Sequence, residues 1–144
     1  IYVSGHSAGG HLTIMLSLTD WSTFCGGPTD LMKGGCAISG IYELAPIQLS
    51  YMQETLGLSD EDLTQNSPIR MTSVPNTNLI IAVGGAETDE FRRQSQDFTD
   101  DWNAKGANCT FLEQPGCNHF SILSDFADAD SAMVQVMLRQ MEVG

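Results

Sequence analysis

The run Leu79-Ile80-Ile81-Ala82-Val83, stopped by Gly84-Gly85, is apolar at every position and not at every second one. A strand of that kind has no face to turn to water, so it belongs inside a parallel sheet with both sides covered. Two shorter runs, Ile1-Tyr2-Val3-Ser4 and Cys36-Ala37-Ile38-Ser39 before Gly40, read the same way, and residues 109–113 form a fourth strand ahead of the turn Pro115-Gly116. Helical patterns alternate with these runs. Leu12, Met15 and Leu16 recur at helical spacing while Ile14 and Leu18 fill another side, which predicts a helix buried nearly all round. Thr88 or Asp89 can cap a second helix, stopped by Gly106, in which Phe91, Phe98 and Trp102 form a core stripe. A last helix over 130–141 lines up Met133, Val134, Met137 and Met141. This order predicts an α/β fold, a mostly parallel sheet with helices on both faces.

Between the second and third strands lie residues 41–78, with Pro46, Pro68 and Pro75 and an acidic helical stretch over 59–65. That is longer than a simple crossover, and residues 41–70 read as a small cap or lid insertion within a single domain spanning 1–144. The chain opens inside a strand, so further strands are expected before Ile1. The 144 residues alone are then expected to bare a sheet edge and to be poorly soluble or inactive.

Charge narrows the function classes. Eighteen Asp and Glu stand against six Lys and Arg, a net charge of −12, which argues against nucleic acid or an anionic membrane as partner and leaves a small molecule. No apolar run approaches the roughly 20 residues of a membrane-spanning helix. Cys25, Cys36, Cys109 and Cys117 show no C-x-x-C spacing, and free thiols in a cytoplasmic protein are expected. His6, His11 and His119 lack metal-ligand spacing, so neither a metal nor another cofactor is expected. The oligomeric state stays open, a homodimer of the full-length protein included.

In a parallel sheet, reactive groups gather at the C-terminal ends of the strands. Ser7 follows the first strand, Glu87 and Asp89 the third, and His119 the fourth. Gly5-His6-Ser7-Ala8-Gly9 has the G-x-S-x-G form of a nucleophile elbow: a strand-to-helix turn so tight that positions two before and two after the serine are expected to be small. Such a turn lifts the Ser7 hydroxyl above the sheet and offers the Ala8 N–H to an oxyanion. The hydroxyl needs a base, and the base an anion behind it; Ser7, then Glu87 or Asp89, then His119 supply them in the chain order of this type of site. His6 is expected to pack or hydrogen-bond locally or to touch substrate, and His11 to be structural. Tyr42, with Tyr51 and Met52, is a candidate wall for a substrate.

Together these segments resemble kynurenine formamidases (arylformamidases) and related esterases of the α/β-hydrolase superfamily. The resemblance runs through Gly5-His6-Ser7-Ala8-Gly9-Gly10-His11-Leu12, Ser39-Gly40-Ile41-Tyr42-Glu43-Leu44-Ala45-Pro46, Asn66-Ser67-Pro68, Gly84 to Ser95, and Gly116-Cys117-Asn118-His119-Phe120. It implies the C-terminal portion of such a fold, without the upstream His-Gly-Gly oxyanion motif. It further implies hydrolysis of N-formyl-L-kynurenine to L-kynurenine and formate, with Ser7 as nucleophile and His119 as base. The acid, an aspartate in animal members, registers on Glu87. A carboxylesterase or acetylesterase acting on small esters is the alternative, and a non-catalytic relative of the fold a second one.

Overall fold

The computed structural model describes residues 1–142. Four parallel strands, β1 (Tyr2–His6), β2 (Gly34–Ile38), β3 (Asn78–Gly84) and β4 (Asn108–Gln114), pair in chain order. The apolar run over 79–83 forms the middle of β3, whereas β1 starts one residue after Ile1 and runs on to His6, and β2 starts two residues before Cys36 and ends before Ser39. Because successive side chains of a strand face opposite ways, β2 and β3 supply two cores at once. Ala37, Leu79 and Ile81 face α1 (Ala8–Ser17) and α6 (Asp89–Ala104), where they meet Ile14, Phe98 and Trp102. Cys36, Ile38, Ile80 and Ala82 face the other way, onto Ile122 of the 3₁₀ segment Ser121–Ala127 and onto Met133 and Met137 of α7 (Ala132–Gln140). Helices therefore cover both faces. β1 is an outer strand, paired only to β2 among the described residues, and leaves Ile1 and Tyr2 exposed.

Three local readings need correction. The helix α1 is not buried all round: Thr13, Ile14 and Ser17 are inside, but Leu12 is 58% exposed, because a helix lying on a sheet can hide only one side. The aromatic stripe of α6 is core only at Phe98 and Trp102; Phe91, one turn into the helix, reaches the C-terminal edge of the sheet and lies partly open. Thr88 is the N-cap by position, yet its side chain makes no capping hydrogen bond. Asp89 and Glu90 place negative charge in the first turn instead.

The segment between β2 and β3, preceded by α2 (Trp21–Cys25) earlier in the chain, holds three short helices: α3 (Ala45–Gln48), α4 (Gln53–Leu56) and α5 (Asp60–Gln65). A 3₁₀ turn, Pro68–Arg70, follows. The helix α5 starts in a capping box, Ser59 and Asp62 satisfying each other's backbone N–H. The segment is pinned at both ends. Gln94 Oε1 of α6 accepts from the N–H groups of Tyr42 (2.8 Å) and Glu43 (2.9 Å). At the far end, Trp102 Nε1 donates to the Pro68 carbonyl (3.3 Å) and His11 Nε2 to the Asn66 carbonyl (2.8 Å). Among the described residues no helix is long and apolar enough to cross a membrane.

Candidate active site

Each strand ends, at the same edge, in one polar residue of the site. After β1 the chain turns at Ser7 with φ 57° and ψ −117°, a combination L-residues rarely adopt, and α1 begins at the next residue. The turn is held by the Ser7 N–H donating to the Ile38 carbonyl (2.9 Å) and by His11 N–H donating to the Ser7 carbonyl (3.1 Å). Its tightness falls on one glycine. A Cβ on Gly5 would lie 2.1 Å from the Gly9 carbonyl oxygen, whereas a Cβ on Gly9 would meet nothing within 4 Å. The expectation that both flanking positions must be small is thus right for Gly5 and wrong for Gly9, whose Cβ direction points to open space. Ala8 stands at the first position of α1, where a backbone N–H has no partner within the helix.

After β3, Glu87 turns back toward the sheet. Its side chain has no exposed surface, and its carboxylate accepts from three donors: Gly84 N–H (2.8 Å) and Ser39 Oγ–H (2.5 Å) on Oε1, and His119 Nδ1 (2.8 Å) on Oε2. A carboxylate that accepts there takes its hydrogen bond from a proton on Nδ1, the tautomer that leaves Nε2 free to accept. Asp89, the other acid considered, is fully exposed and lies 3.8 Å from Arg92, away from the imidazole. As the first residue of α6 it points outward with the helix start.

His119 is positioned by its loop. Asn118 Oδ1 accepts from the N–H groups of Phe120 (3.0 Å) and Ser121 (2.9 Å), and Ser121 Oγ accepts from Asn118 N–H (2.8 Å). The loop is laced to the end of β3 by Ala86 N–H donating to the Cys117 carbonyl (2.9 Å), and a Cβ on Gly84 would fall 2.2 Å from that same oxygen. Two rings press on the imidazole: His6 and Phe91 each have their centroid 4.5 Å from that of His119. His6 also donates from Nε2 to the His119 carbonyl (2.7 Å), which fastens the residue beside Ser7 to the loop of His119. No hydrogen bond joins Ser7 Oγ to His119 among the described residues.

Other candidates are placed elsewhere. Tyr42 is no substrate wall: it is wholly buried and stacks on Phe98 with centroids 4.4 Å apart, because the Gln94 clamp pulls the start of the insertion into the core. Tyr51 is 88% exposed. His6 and His11 point to different carbonyls, so the three histidines do not converge. Burial pushes the Cys36 thiol up to about 12 and the Cys109 thiol to about 11, while Cys25 is exposed.

Ser39 went unrecognised as a functional residue. Its signal was its place: it follows β2 as Ser7 follows β1, a polar side chain at the C-terminal end of an otherwise apolar parallel strand.

No protein-family profile matches the chain. Individual relatives do. It is 35% identical to kynurenine formamidase of Salmo salar and 32% identical to that of Danio rerio, in each case over 98% of this chain and 49% of the relative. The chain thus spans about half the length of the relatives it matches. Among solved structures, a candidate thioesterase from Silicibacter superposes with a TM-score of 0.77 at 26% identity, covering 92% of this chain and 48% of that one. An acylaminoacyl peptidase from Pyrococcus horikoshii gives 0.74 at 17% identity over 99% of this chain and 23% of the peptidase. By architecture and by sequence, the chain is an α/β-hydrolase-fold homologue of the kynurenine formamidases.

Proposed function

We propose that this chain supplies the catalytic serine, base and acid of a hydrolase that cleaves N-formyl-L-kynurenine to L-kynurenine and formate. One observation carries the reading: the buried Glu87 carboxylate, satisfied by Ser39 and Gly84, is bonded to His119 Nδ1, an arrangement that leaves Nε2 basic at the edge where the strained Ser7 turn lies. The relatives named kynurenine formamidase supply the substrate.

Ser7 Oγ attacks the formyl carbon as His119 Nε2 takes the hydroxyl proton, and Glu87 stabilises the imidazolium that results. The oxyanion that develops faces the Ala8 N–H at the start of α1, where the free amides favour negative charge. The intermediate collapses as the imidazolium gives its proton to the departing aryl amine nitrogen. That releases kynurenine and leaves Ser7 as a formyl ester. Water, deprotonated by His119, attacks the ester; formate leaves and Ser7 recovers its proton. Residues 41–70 would cover this edge.

The test uses the intact protein with N-formyl-L-kynurenine beside short p-nitrophenyl esters, since a triad by itself does not distinguish a formamide from an ester. Formamide hydrolysis lost in Ser7→Ala, with fluorophosphonate labelling confined to Ser7, is expected. Ester hydrolysis without formamide hydrolysis moves the assignment to the esterase alternative. Absence of labelling at Ser7 removes the catalytic reading altogether.

A further inference from the structure

Ser7 and His119 follow the two outer strands among the described residues, β1 and β4, with β2 and β3 between them. Neighbouring strands lie about 4.8 Å apart, so β1 and β4 leave the sheet roughly 14 Å from each other. A proton passes between the two side chains only if the loop over 115–120 is drawn back across the sheet edge. Resting on the hydrolase reading above, we infer that His6 draws it there: His6 is a positioning residue whose hydrogen bond to the His119 carbonyl keeps the imidazole within reach of the Ser7 hydroxyl.

Strand alternation aims His6 at that loop. Gly5 faces α1, where an added Cβ would strike the Gly9 carbonyl oxygen, so the next side chain, that of His6, leaves the sheet on the opposite face. Its register partner Ile38 faces the same way and shares a core with Ile122, three residues beyond His119. From there His6 Nε2 donates to the His119 carbonyl (2.7 Å), and the two imidazole rings meet with centroids 4.5 Å apart. A carbonyl only accepts, so this bond is made by the form of His6 that carries a proton on Nε2.

Every other contact that holds the loop pulls from the β3 side. Ala86 N–H donates to the Cys117 carbonyl and Glu87 accepts from His119 Nδ1, and both residues follow β3, the neighbour of β4. Phe91 packs on the imidazole from α6, which also follows β3. The bonds among Asn118, Phe120 and Ser121 are internal to the loop and its continuation. Among the described residues, the His6 bond is the one hydrogen bond that joins β1 or its turn to this loop, across 113 positions of sequence. Without it the base keeps its acid but loses its tie to the nucleophile's strand. Such a defect lengthens the path of the proton and leaves substrate binding alone; a displacement of about 1 Å can cost on the order of a hundredfold in rate.

The experiment measures kcat and KM of the intact protein for N-formyl-L-kynurenine, or for the p-nitrophenyl ester it cleaves fastest if it does not take the formamide, in wild type, His6→Phe and His6→Gln. Phenylalanine keeps a ring and loses the donor. Glutamine loses the ring but carries its amide Nε2 as many bonds from Cβ as the imidazole Nε2, so the donor survives. His6→Phe is expected to lower kcat roughly tenfold or more with KM within about threefold of wild type, and His6→Gln to keep kcat within about threefold. A merely structural role would move KM with kcat and would not be rescued by glutamine. A folded His6→Phe variant with kcat within about threefold of wild type overturns the inference, and so does an equal fall in both variants, since the ring and not the bond would then matter. Should His6→Phe fail to fold, His6→Ala decides by chemical rescue at about pH 8, where imidazoles are mostly neutral. A rise in kcat with added imidazole but not with 1-methylimidazole, which has no N–H to donate, supports the bond; a rise with both, or with neither, overturns it. Fluorophosphonate labelling of Ser7 in wild type separates the two failures: without labelling the hydrolase reading falls first, and with labelling only the role of His6 is at stake.

Discussion

Replacing Glu87 by glutamine tests the site most sharply, because the structure says which way the substituted amide must fail. The carboxylate accepts on both oxygens: Ser39 and Gly84 on one, His119 on the other. Glutamine has one accepting oxygen and one donating NH₂. If its oxygen keeps Ser39 and Gly84, the NH₂ faces Nδ1, and the imidazole must move its proton to Nε2, where it can no longer accept from Ser7. In the other orientation the buried Gly84 N–H loses its acceptor, at about 1–3 kcal/mol of stability. Either way the imidazolium loses its counter-charge. Opposite unit charges about 4 Å apart at an effective dielectric of about 20 attract by about 4 kcal/mol, of which a neutral hydrogen bond restores about 1. The remaining 3 kcal/mol or so, at about 1.4 per decade, is roughly a hundredfold in kcat. The wrong tautomer would extend the loss toward ~10⁴-fold. Steady-state hydrolysis of N-formyl-L-kynurenine by intact wild type and Glu87→Gln measures it, with circular dichroism to establish folding. A folded variant with kcat within about threefold of wild type would refute the reasoning, since no acceptor behind the base would then be needed.

Other consequences follow from single contacts. Ser39→Ala removes a charge-assisted hydrogen bond onto Glu87 and should lower unfolding stability by about 1.5–3 kcal/mol in urea titrations while reducing kcat less than Glu87→Gln does. Gly5→Ala drives a Cβ into the Gly9 backbone and should abolish soluble protein or activity, whereas Gly9→Ala, with open space at its Cβ, should express with unfolding stability within about 1 kcal/mol of wild type; equal damage in both would contradict the elbow packing. Gln94→Leu strips the Tyr42 and Glu43 N–H groups of their acceptor and should lower stability by about 2–3 kcal/mol in the same titration. Thiol titration with a disulfide reagent at pH 8 should modify Cys25 quickly and leave Cys36 and Cys109 protonated and unreactive until denaturant is added, because burial holds the two thiols near 12 and 11.

What could be read from residues alone was whatever repeats at short range. The strand over 79–83 announced itself because a parallel strand covered on both faces must be apolar at each step, and Ile80 and Ile81 do face opposite cores, whereas the fourth was legible only from its alternation and the turn Pro115-Gly116 after it. The turn at Ser7 was legible because so tight a turn restricts composition, and the gathering of Ser7, Glu87 and His119 at one edge because each follows a parallel strand. The errors arose where a contact joins distant segments. Nothing near Tyr42 shows that Gln94, 52 residues on, will draw it inward against Phe98. Nor does the spacing of Phe91 in its helix show that the sheet ends beneath it, so that it meets His119 instead of core. Ser39 was passed over because its partner, Glu87, lies 48 residues away.

The two serines at the ends of β1 and β2 explain how such a site can be held open. His6 pairs with Ile38 in register, so Ser7 and Ser39 are neighbouring residues just past the sheet, and both have positive φ, 57° and 48°. Each continues the ladder by one bond before turning away: Ser7 N–H donates to the Ile38 carbonyl and Ser39 N–H to the Ala82 carbonyl (2.7 Å). A non-glycine residue in such a conformation costs on the order of 1–3 kcal/mol, so two adjacent ones would not persist unless other contacts over-determined them. At Ser39 the compensation is local, since its hydroxyl is spent on Glu87 and its side chain is wholly buried. At Ser7 the backbone is anchored but the hydroxyl has no partner among the described residues, although its neighbour His6 is bound to the carbonyl of His119. The same backbone device thus yields two different side chains: one whose hydroxyl donates to Glu87, and one whose hydroxyl is left without a partner among the described residues, on the turn whose neighbour His6 is bound to the His119 carbonyl.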